Sequence, residues 1–190
     1  MATPDIHPLT AARWDDFAGL CRQMGPNRSC WCIWWRESPD EHRPLSRRQQ
    51  SQALAAQEPA PGLLAYVGSE AIGWVAVAPR HDYPRLARGR DTAPVDHRPG
   101  VWAVPCFFVR DDHRRTGVTG ALLHAAVQFA ADHGASAVEG VPVDPTTRNR
   151  TESASYTGLL PTFAAAGFRE VARRTPKGRV IMRYDLSRSS

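Results

Sequence analysis

Residues 101–130 constrain the fold of this chain more than any other stretch. They begin with an apolar run, Val101–Val109, rich in the β-branched and aromatic residues that favour a buried strand. After a polar turn, apolar residues recur at helical spacing, which predicts a helix over residues 118–133 that ends at Gly134. A buried strand followed by a patterned helix indicates a domain in which helices pack on a sheet.

The turn between this strand and this helix has the features of a phosphate-binding site. A helix N-terminus presents unpaired backbone N–H groups and a partial positive charge, which together bind anions. Gly117 and Gly120 allow the backbone to approach a ligand closely, and Arg114 and Arg115 add charge at the rim. The alternative is an ordinary turn with surface arginines, since two glycines three residues apart are a weak motif alone. Its position between a buried strand and a patterned helix favours a pyrophosphate cradle.

Patterning elsewhere predicts six more strands and three more helices. The strands cover residues 6–9, 63–67, 71–78, 135–143, 168–174 and 179–186, the helices 10–24, 46–57 and 156–166, and the long loops 79–100 and 144–155. Ser46 and Gln49 predict a capping box, and Pro161 moves the regular start of the last helix to about residue 160. We therefore expect one domain over residues 1–190, of the α/β (α+β) class, with a mixed central sheet of about seven strands flanked by about four helices.

The net charge and the composition limit the kinds of partner that this chain is expected to bind. The net charge of +5 suits a polyanion, either nucleic acid or a phosphorylated small molecule. The arginines are scattered along the chain, so no nucleic-acid partner is predicted. No apolar run approaches the roughly 20 residues that a membrane span needs, and the N-terminus has no secretory pattern. We expect a soluble, cytoplasmic protein without a membrane partner.

The four cysteines are expected to be free thiols, because no secretory signal is present. Cys30 and Cys32 form a CxC pair, which is a weak zinc signal without a second pair, and no metal is predicted. Cys106, at the end of the buried strand, has the chemistry of a nucleophile. Free cysteines are usually buried, however, which favours a core residue.

A family resemblance covers nearly the whole chain. Residues 113–123 resemble motif A of the GCN5-related N-acetyltransferases, the GNAT superfamily, which reads Arg/Gln-x-x-Gly-x-Gly/Ala. Arg114 and Gly117 match this motif; Thr119 departs from it, and Gly120 can supply the small residue instead. The order of elements is similar to the family's, and residues 166–171 resemble its Gly-Phe signature. The resemblance implies the GNAT acyl-CoA N-acyltransferase fold and acetyl-CoA as the co-substrate.

The resemblance also implies which residues bind acetyl-CoA. In the family, pantetheine pairs like an extra strand beside the strand that precedes motif A, and the phosphates bind the turn. Carried over, the cofactor-binding residues are Phe107, Phe108, Val109, Arg114, Arg115, Thr116, Gly117, Val118, Thr119 and Gly120. A backbone N–H near Val109 would polarise the thioester carbonyl, in keeping with preorganised donors that stabilise an oxyanion.

Direct transfer to an amine needs a general acid and a base within hydrogen-bond reach or one water away. Many family members carry the acid as a Tyr about four residues before the Gly-Phe glycine, where this chain has Phe163, which has no proton to donate. Tyr156 is the candidate acid, against a packed aromatic residue as the alternative. Glu139 interrupts an apolar strand and is the candidate base, against a solvent-facing carboxylate.

The acceptor side is predicted from a cluster of aromatic residues. Trp31, Trp34, Trp35 and Arg36 lie in the region that borders the acceptor site in the family. An aromatic wall suits a planar, sugar-like or cationic acceptor, whereas the alternative is a hydrophobic plug. The prediction is an N-acetyltransferase acting on a small amine, such as an aminoglycoside-type antibiotic. A protein N-acetyltransferase and a non-catalytic acyl-CoA-binding regulator are the alternatives. The sequence is also compatible with a homodimer.

Overall fold

One mixed sheet organises the residues that the computed structural model describes, namely 3–38, 44–147, 156–176 and 178–186. Its strands are β1 (Asp5–Pro8), β2 (Gly62–Val67), β3 (Glu70–Pro79), β4 (Val101–Val109), β5 (Ala137–Gly140), β6 (Arg169–Arg173) and β7 (Val180–Asp185). They lie in the order β1-β2-β3-β4-β5-β7-β6. Only β4 and β5 pair in parallel within this sheet, and the other neighbours are antiparallel. The predicted α/β class and seven-stranded mixed sheet are confirmed.

Five α-helices flank this sheet in the described part of the chain. They are α1 (Trp14–Arg22), α2 (Arg47–Leu54), α3 (Pro84–Arg88), α4 (Val118–Asp132) and α5 (Leu160–Ala165). The capping box on α2 forms as predicted, since Ser46 Oγ accepts from the Gln49 amide and Gln49 Oε1 accepts from the Ser46 amide. α3 is the one helix beyond the four predicted, and it lies inside the segment predicted as a loop. None of the described helices has both the length and the apolar character needed to cross a membrane.

The two faces of the sheet are covered by different helices. One face packs on α4 through Leu122, Leu123, Ala126 and Ala130, and the other packs on α1 through Trp14, Phe17, Leu20 and Cys21. Because side chains alternate along a strand, Phe107 and Val109 of β4 join the α4 cluster, while Cys106 and Phe108 join the α1 cluster. The last four residues of β4 therefore contribute side chains to both faces.

β4 and β5 separate halfway along their length. Their parallel pairing runs only from Val101 to Val104 on β4. Pro105 follows, and the register between β3 and β4 shifts at the same level. Beyond this point the edge of β4 that faces away from β3 has no strand beside it among the described residues. The Phe107 amide on that edge instead donates to the Tyr156 carbonyl, at 2.6 Å.

Residues 148–155, which belong to the predicted loop 144–155, lie outside the described residues. The chain after them returns toward the sheet, because Val143 exchanges backbone hydrogen bonds with the segment that leads into α5. In that exchange the Val143 amide donates to the Gly158 carbonyl at 3.0 Å, and the Leu160 amide donates to the Val143 carbonyl at 3.0 Å. α5 is thereby held beside the opening between β4 and β5.

Candidate active site

The turn before α4 presents glycines and free amides at the helix N-terminus. Gly117 caps α4 with a φ of 89°, a left-handed conformation that glycine adopts without steric cost. A β-carbon added at Gly117 or Gly120 would meet no atom within 4 Å, so both positions face open space. The first intrahelical bond runs from the Ala121 amide to the Gly117 carbonyl, which leaves the amides of residues 118–120 without helical partners. This is the geometry that binds a phosphate.

Of the side chains before Gly117, two arginines supply positive charge and one threonine stabilises the turn. Arg114 and Arg115 are exposed, and Arg114 Nη2 lies 2.7 Å from Asp111 Oδ1. Arg115 has a φ of 63°, which costs roughly 1–2 kcal/mol for a residue with a side chain. Thr116 Oγ1 donates to the His113 carbonyl at 2.6 Å, so this hydroxyl holds the turn together. The two arginines therefore place positive charge at the rim. The hydroxyl of Thr116, a residue predicted to bind the cofactor, instead donates its hydrogen bond within the turn.

Two adjoining cavities form a groove between β4, α4 and α5. One has a volume of about 510 Å³ and reaches β4 at Phe107, Phe108 and Val109. The other has a volume of about 490 Å³ and covers the N-terminus of α4 at residues 117–120. Four residues line both cavities, namely Arg115, Thr119, Leu159 and Thr162. We call this continuous space the β4–α4 groove, and it brings together most of the residues predicted to bind the cofactor.

Backbone geometry aims the Val109 amide into this groove. The Arg110 amide donates to the Ile72 carbonyl of β3 at 2.9 Å, and β3 pairs Gly73 with Val109. Amides alternate between the two edges of a strand, so the Val109 amide points away from β3, like that of Phe107. β5 does not extend this far. The Val109 N–H is thus a backbone donor on an open strand edge.

Tyr156 lies where the groove meets a third cavity. This residue lines both the groove and that cavity. The ring stacks on Phe108, with centroids 6.4 Å apart, and the hydroxyl donates to the Met24 carbonyl at 3.1 Å. Phe163, at the position of the family's usual acid, is fully buried against Phe107 and Phe168 and is a core residue.

The third cavity has a volume of about 370 Å³, and we call it the tryptophan cavity. Its lining residues are Met24, Asn27, Ser29, Cys30, Cys32, Trp34, Trp35, Arg47, Cys106, Tyr156, Thr157 and Arg179. Trp34 and Trp35 meet edge to face, with ring centroids 4.6 Å apart. These two of the four residues predicted for the acceptor side do line a cavity.

The other two predicted acceptor residues do not line the tryptophan cavity. Trp31 turns back through a left-handed backbone, with φ 50°, and stacks on Trp14 with ring centroids 5.9 Å apart. Arg36 forms an ion pair with Asp82 at 3.0 Å and lies 4.7 Å from the centre of the Tyr83 ring. Trp31 thus packs against the α1 cluster, which favours the plug interpretation for this residue, and Arg36 links the aromatic segment to the start of the long loop.

Glu139 requires a correction as well. It is 4% exposed, and its carboxylate accepts from Arg183 Nε and Arg80 Nη1, both at 2.9 Å. It pairs with Ala103, four residues before Phe107, which is roughly 13 Å along β4. A carboxylate held by two guanidinium groups and distant from the groove is poorly suited to act as a base. The solvent-facing alternative is wrong, since Glu139 is one member of a buried ion network, and this network argues against the predicted role as the base.

Several lining residues were not predicted from the sequence. Leu159 and Thr162 lie in the groove, and Thr157 and Arg179 lie in the tryptophan cavity. No motif marks them. Thr157, Leu159 and Thr162 reach the site because the segment that leads into α5 packs against the open edge of β4. Arg179, just before β7, is held there by its bridge to Val143 and its hydrogen bond to Thr157. The sequence feature that bears on the position of the first three is Pro161, which indicates where α5 begins.

A protein-family model matches most of the chain. Residues 27–151, well over half of the chain, match the model of the acetyltransferase (GNAT) family. No protein with a curated description matches the sequence.

Solved structures match over nearly the full length of the chain. The GNAT domain of PAT from S. lividans is 20% identical, with 97% of this chain and 92% of that chain covered and a TM-score of 0.58. A GCN5-related N-acetyltransferase from Kribbella flavida is 15% identical, with 96% and 98% covered and a TM-score of 0.57. AAC(6')-Iy, solved with the bisubstrate analogue CoA-S-monomethyl-acetylneamine, is 20% identical, with 90% and 95% covered and a TM-score of 0.55. At these identities the likeness shows a common fold.

Proposed function

This chain belongs to the GNAT family of acetyltransferases, and we propose that it transfers an acetyl group from acetyl-CoA to a primary amine of a small molecule. The amine would attack directly, with donor and acceptor bound together. The observation that carries this proposal is the position of Tyr156, which lines both the β4–α4 groove and the tryptophan cavity. A donor in the groove and an amine in the cavity would meet at this residue, and such proximity supplies much of the rate.

The groove has the features that a coenzyme A phosphate chain needs. The amides of residues 118–120 lack helical partners, and the two glycine positions leave room for a ligand in contact with the backbone. Arg114 and Arg115 supply positive charge at the rim. We assign the pyrophosphate to these residues and the pantetheine to the open edge of β4 at Phe107, Phe108 and Val109.

Acetyl-CoA supplies the acetyl group as an activated thioester. The Val109 amide lies on the open edge of β4, where it would donate to the carbonyl oxygen as negative charge develops there. The Tyr156 hydroxyl is the group that would protonate the departing thiolate. We assign no side chain as the base, because none of the described residues that line the tryptophan cavity is a carboxylate or a histidine, and water would carry the amine proton away.

A small acceptor is favoured by the size and shape of the tryptophan cavity. Its volume of about 370 Å³ falls within the range typical of small-molecule sites. Trp34 and Trp35 provide an apolar wall, and Thr157 lines the same space. These features support a compact amine over a protein substrate, which would need an open channel for its backbone.

The charges around this cavity bear on the kind of amine. Arg47 and Arg179 line it, and the guanidinium of Arg85 lies 4.6 Å from the centre of the Trp34 ring. Glu37 pairs with both Arg47 and Arg85, so among these described residues one carboxylate faces two guanidinium groups. Guanidinium groups repel a polycation, which argues against an acceptor like that of an aminoglycoside acetyltransferase. We favour a primary amine that also carries an acidic group.

The test is a measurement of coenzyme A thiol release with acetyl-CoA and a panel of acceptors. The panel holds amines with a carboxylate or phosphate, neutral amines, aminoglycosides and short peptides. We expect turnover with small acidic amines and little with aminoglycosides. Turnover with peptides alone would indicate a protein acetyltransferase. Tight acetyl-CoA binding without thiol release from any acceptor would indicate a non-catalytic regulator. A cytoplasmic location, the absence of metal, nucleic-acid and membrane partners, and a homodimer stay predictions from the sequence.

A further inference from the structure

Two cysteines meet at the wall of the tryptophan cavity. The Sγ atoms of Cys32 and Cys106 lie 3.8 Å apart, although the residues are separated by 74 positions in the sequence. Both thiols are free, both side chains line the cavity, and each residue is 7% exposed. This pair stands between the apolar wall of the cavity and the strand that carries the proposed oxyanion donor.

The loop that presents Cys32 adopts an unusual backbone to reach this position. Trp31 and Cys32 have φ values of 50° and 53°, a left-handed conformation that is unfavourable for residues with side chains. In this conformation Trp31 packs away from the cavity and Cys32 turns toward β4. The contact between the two sulfurs is therefore maintained against local strain.

We propose that Cys32 and Cys106 form an oxidation site, at which hydrogen peroxide converts the two thiols into one disulfide. The sulfur of Cys106 attacks the peroxide oxygen, the O–O bond breaks, and a sulfenic acid and one hydroxide or water result. The sulfur of Cys32 then displaces the sulfenic oxygen as water, and the S–S bond forms. Two electrons pass from the thiols to the peroxide, and the two thiol hydrogens leave in the water produced.

The assignment of Cys106 as the attacking sulfur follows from the hydrogen bond between the thiols. The pKa of the Cys32 thiol lies well above its usual value, first because of its hydrogen bond to Cys106 and then because of burial. Cys32 therefore favours its protonated form, and we assign the first attack on the peroxide to Cys106. The thiolate is the reactive form of cysteine.

Oxidation would change the acceptor side of the site. A disulfide holds its sulfurs about 2.05 Å apart, so the Cys32 loop must move toward β4 from the present 3.8 Å. Trp34 and Trp35 follow Cys32 by two and three residues and line the same cavity. The groove residues of α4 lie on the other face of the sheet, so coenzyme binding would be unchanged. This consequence for activity rests on the proposed function, whereas formation of the disulfide does not.

The experiment treats the purified full chain with hydrogen peroxide and maps its cysteines by mass spectrometry without reduction. We expect a cross-linked peptide pair that contains Cys32 and Cys106, and its loss on treatment with dithiothreitol. Cys32→Ser and Cys106→Ser should abolish the cross-link, while Cys30→Ser, a change in the same cavity, should retain it. A cross-link through Cys30, or over-oxidation of unlinked Cys106, would overturn the proposal.

A second readout separates the site from its effect on acetyl transfer. We expect the oxidised protein to lose turnover by about 100-fold, because small displacements near reacting groups have effects of this size. Dithiothreitol should restore turnover, and acetyl-CoA affinity should not change. A cross-link that leaves turnover intact would overturn the link to the acceptor cavity. A protein that is inactive even when reduced, yet still cross-links, would count against the proposed function alone.

Discussion

The amide of Phe107 donates a 2.6 Å hydrogen bond to the carbonyl of Tyr156, and this bond joins the open edge of β4 to the segment that leads into α5. It holds Tyr156 at the boundary between the β4–α4 groove and the tryptophan cavity. The same strand edge presents the Val109 amide two residues later. This backbone contact thus places the proposed acid beside the strand edge that carries the proposed oxyanion donor.

Tyr156→Phe should separate catalysis from binding. Loss of the hydroxyl removes the proposed acid, for which a decrease in kcat of about 100-fold or more is expected. Acetyl-CoA affinity should stay the same, because the backbone bond to Phe107 is untouched. The measurement is steady-state kinetics with the acceptor identified in the panel, beside calorimetric titration of acetyl-CoA.

Tyr184→Phe is the matched control, since Tyr184 packs on Phe168 away from the groove and should tolerate the change. An unaltered kcat in Tyr156→Phe would remove this tyrosine as the acid.

Gly120→Glu should block the phosphate cradle. A side chain at this position would extend into the space above the helix N-terminus and bring negative charge to it. We expect acetyl-CoA affinity to fall by about 100-fold, equivalent to about 3 kcal/mol. Calorimetric titration measures the affinity, and thermal unfolding checks that the fold is retained.

Gly120→Gln distinguishes the effect of volume from that of charge at the same position. It should weaken binding less than the glutamate does. Wild-type affinity in both variants would mean that the phosphates bind elsewhere.

Glu139→Gln should act on stability and leave the pH dependence of turnover as it is. The neutral side chain removes the buried carboxylate between Arg183 and Arg80 and leaves them the more exposed Asp96 as their anionic partner. Stability should therefore fall by up to the roughly 3–5 kcal/mol typical of a broken buried pair. Urea unfolding measures this loss. If stability were unchanged while turnover fell only at low pH, Glu139 would again be the candidate base.

Asp144 should make stability depend on pH in the acid range. Hydrogen bonds from the Thr146 hydroxyl and amide, and then the ion pair with Arg173, lower the pKa of its carboxyl to about 2. The unfolded value is about 3.9, so the unfolded chain binds the proton first, and the stabilisation is complete above that value. It is lost as the pH falls through about 2.

Asp144→Asn measures this contribution directly. Urea unfolding of both proteins should give a difference that is constant near neutral pH and shrinks between about pH 4 and pH 2. A difference that does not vary over this range would contradict the assignment.

Local patterns in the sequence predict much of the fold and of the groove. Strand β4, helix α4 and the capping box at Ser46 depend on nearby residues, and all form as expected. The cradle at Gly117 follows for the same reason, because a strand–turn–helix unit creates it locally. α3 was missed since its five residues bury one apolar side chain, Leu86, which makes no periodic pattern.

The remaining differences depend on partners distant in the sequence. The arginines that hold Glu139 are 59 and 44 residues away, so its alternation within an apolar strand could not reveal an ion network. Trp31 and Trp34 belong to one aromatic cluster, and only the left-handed backbone at residues 31 and 32 sends them to different surroundings. The contact between Cys32 and Cys106 likewise exists only in the folded chain.

The central claim is that the groove between β4 and α4 binds acetyl-CoA, and a crystal structure of the complex tests it most directly. We predict density for the pyrophosphate at the amides of residues 118–120, and for pantetheine along β4 with the thioester carbonyl at the Val109 amide. Coenzyme density at any other surface, with the N-terminus of α4 left bare, would contradict the account.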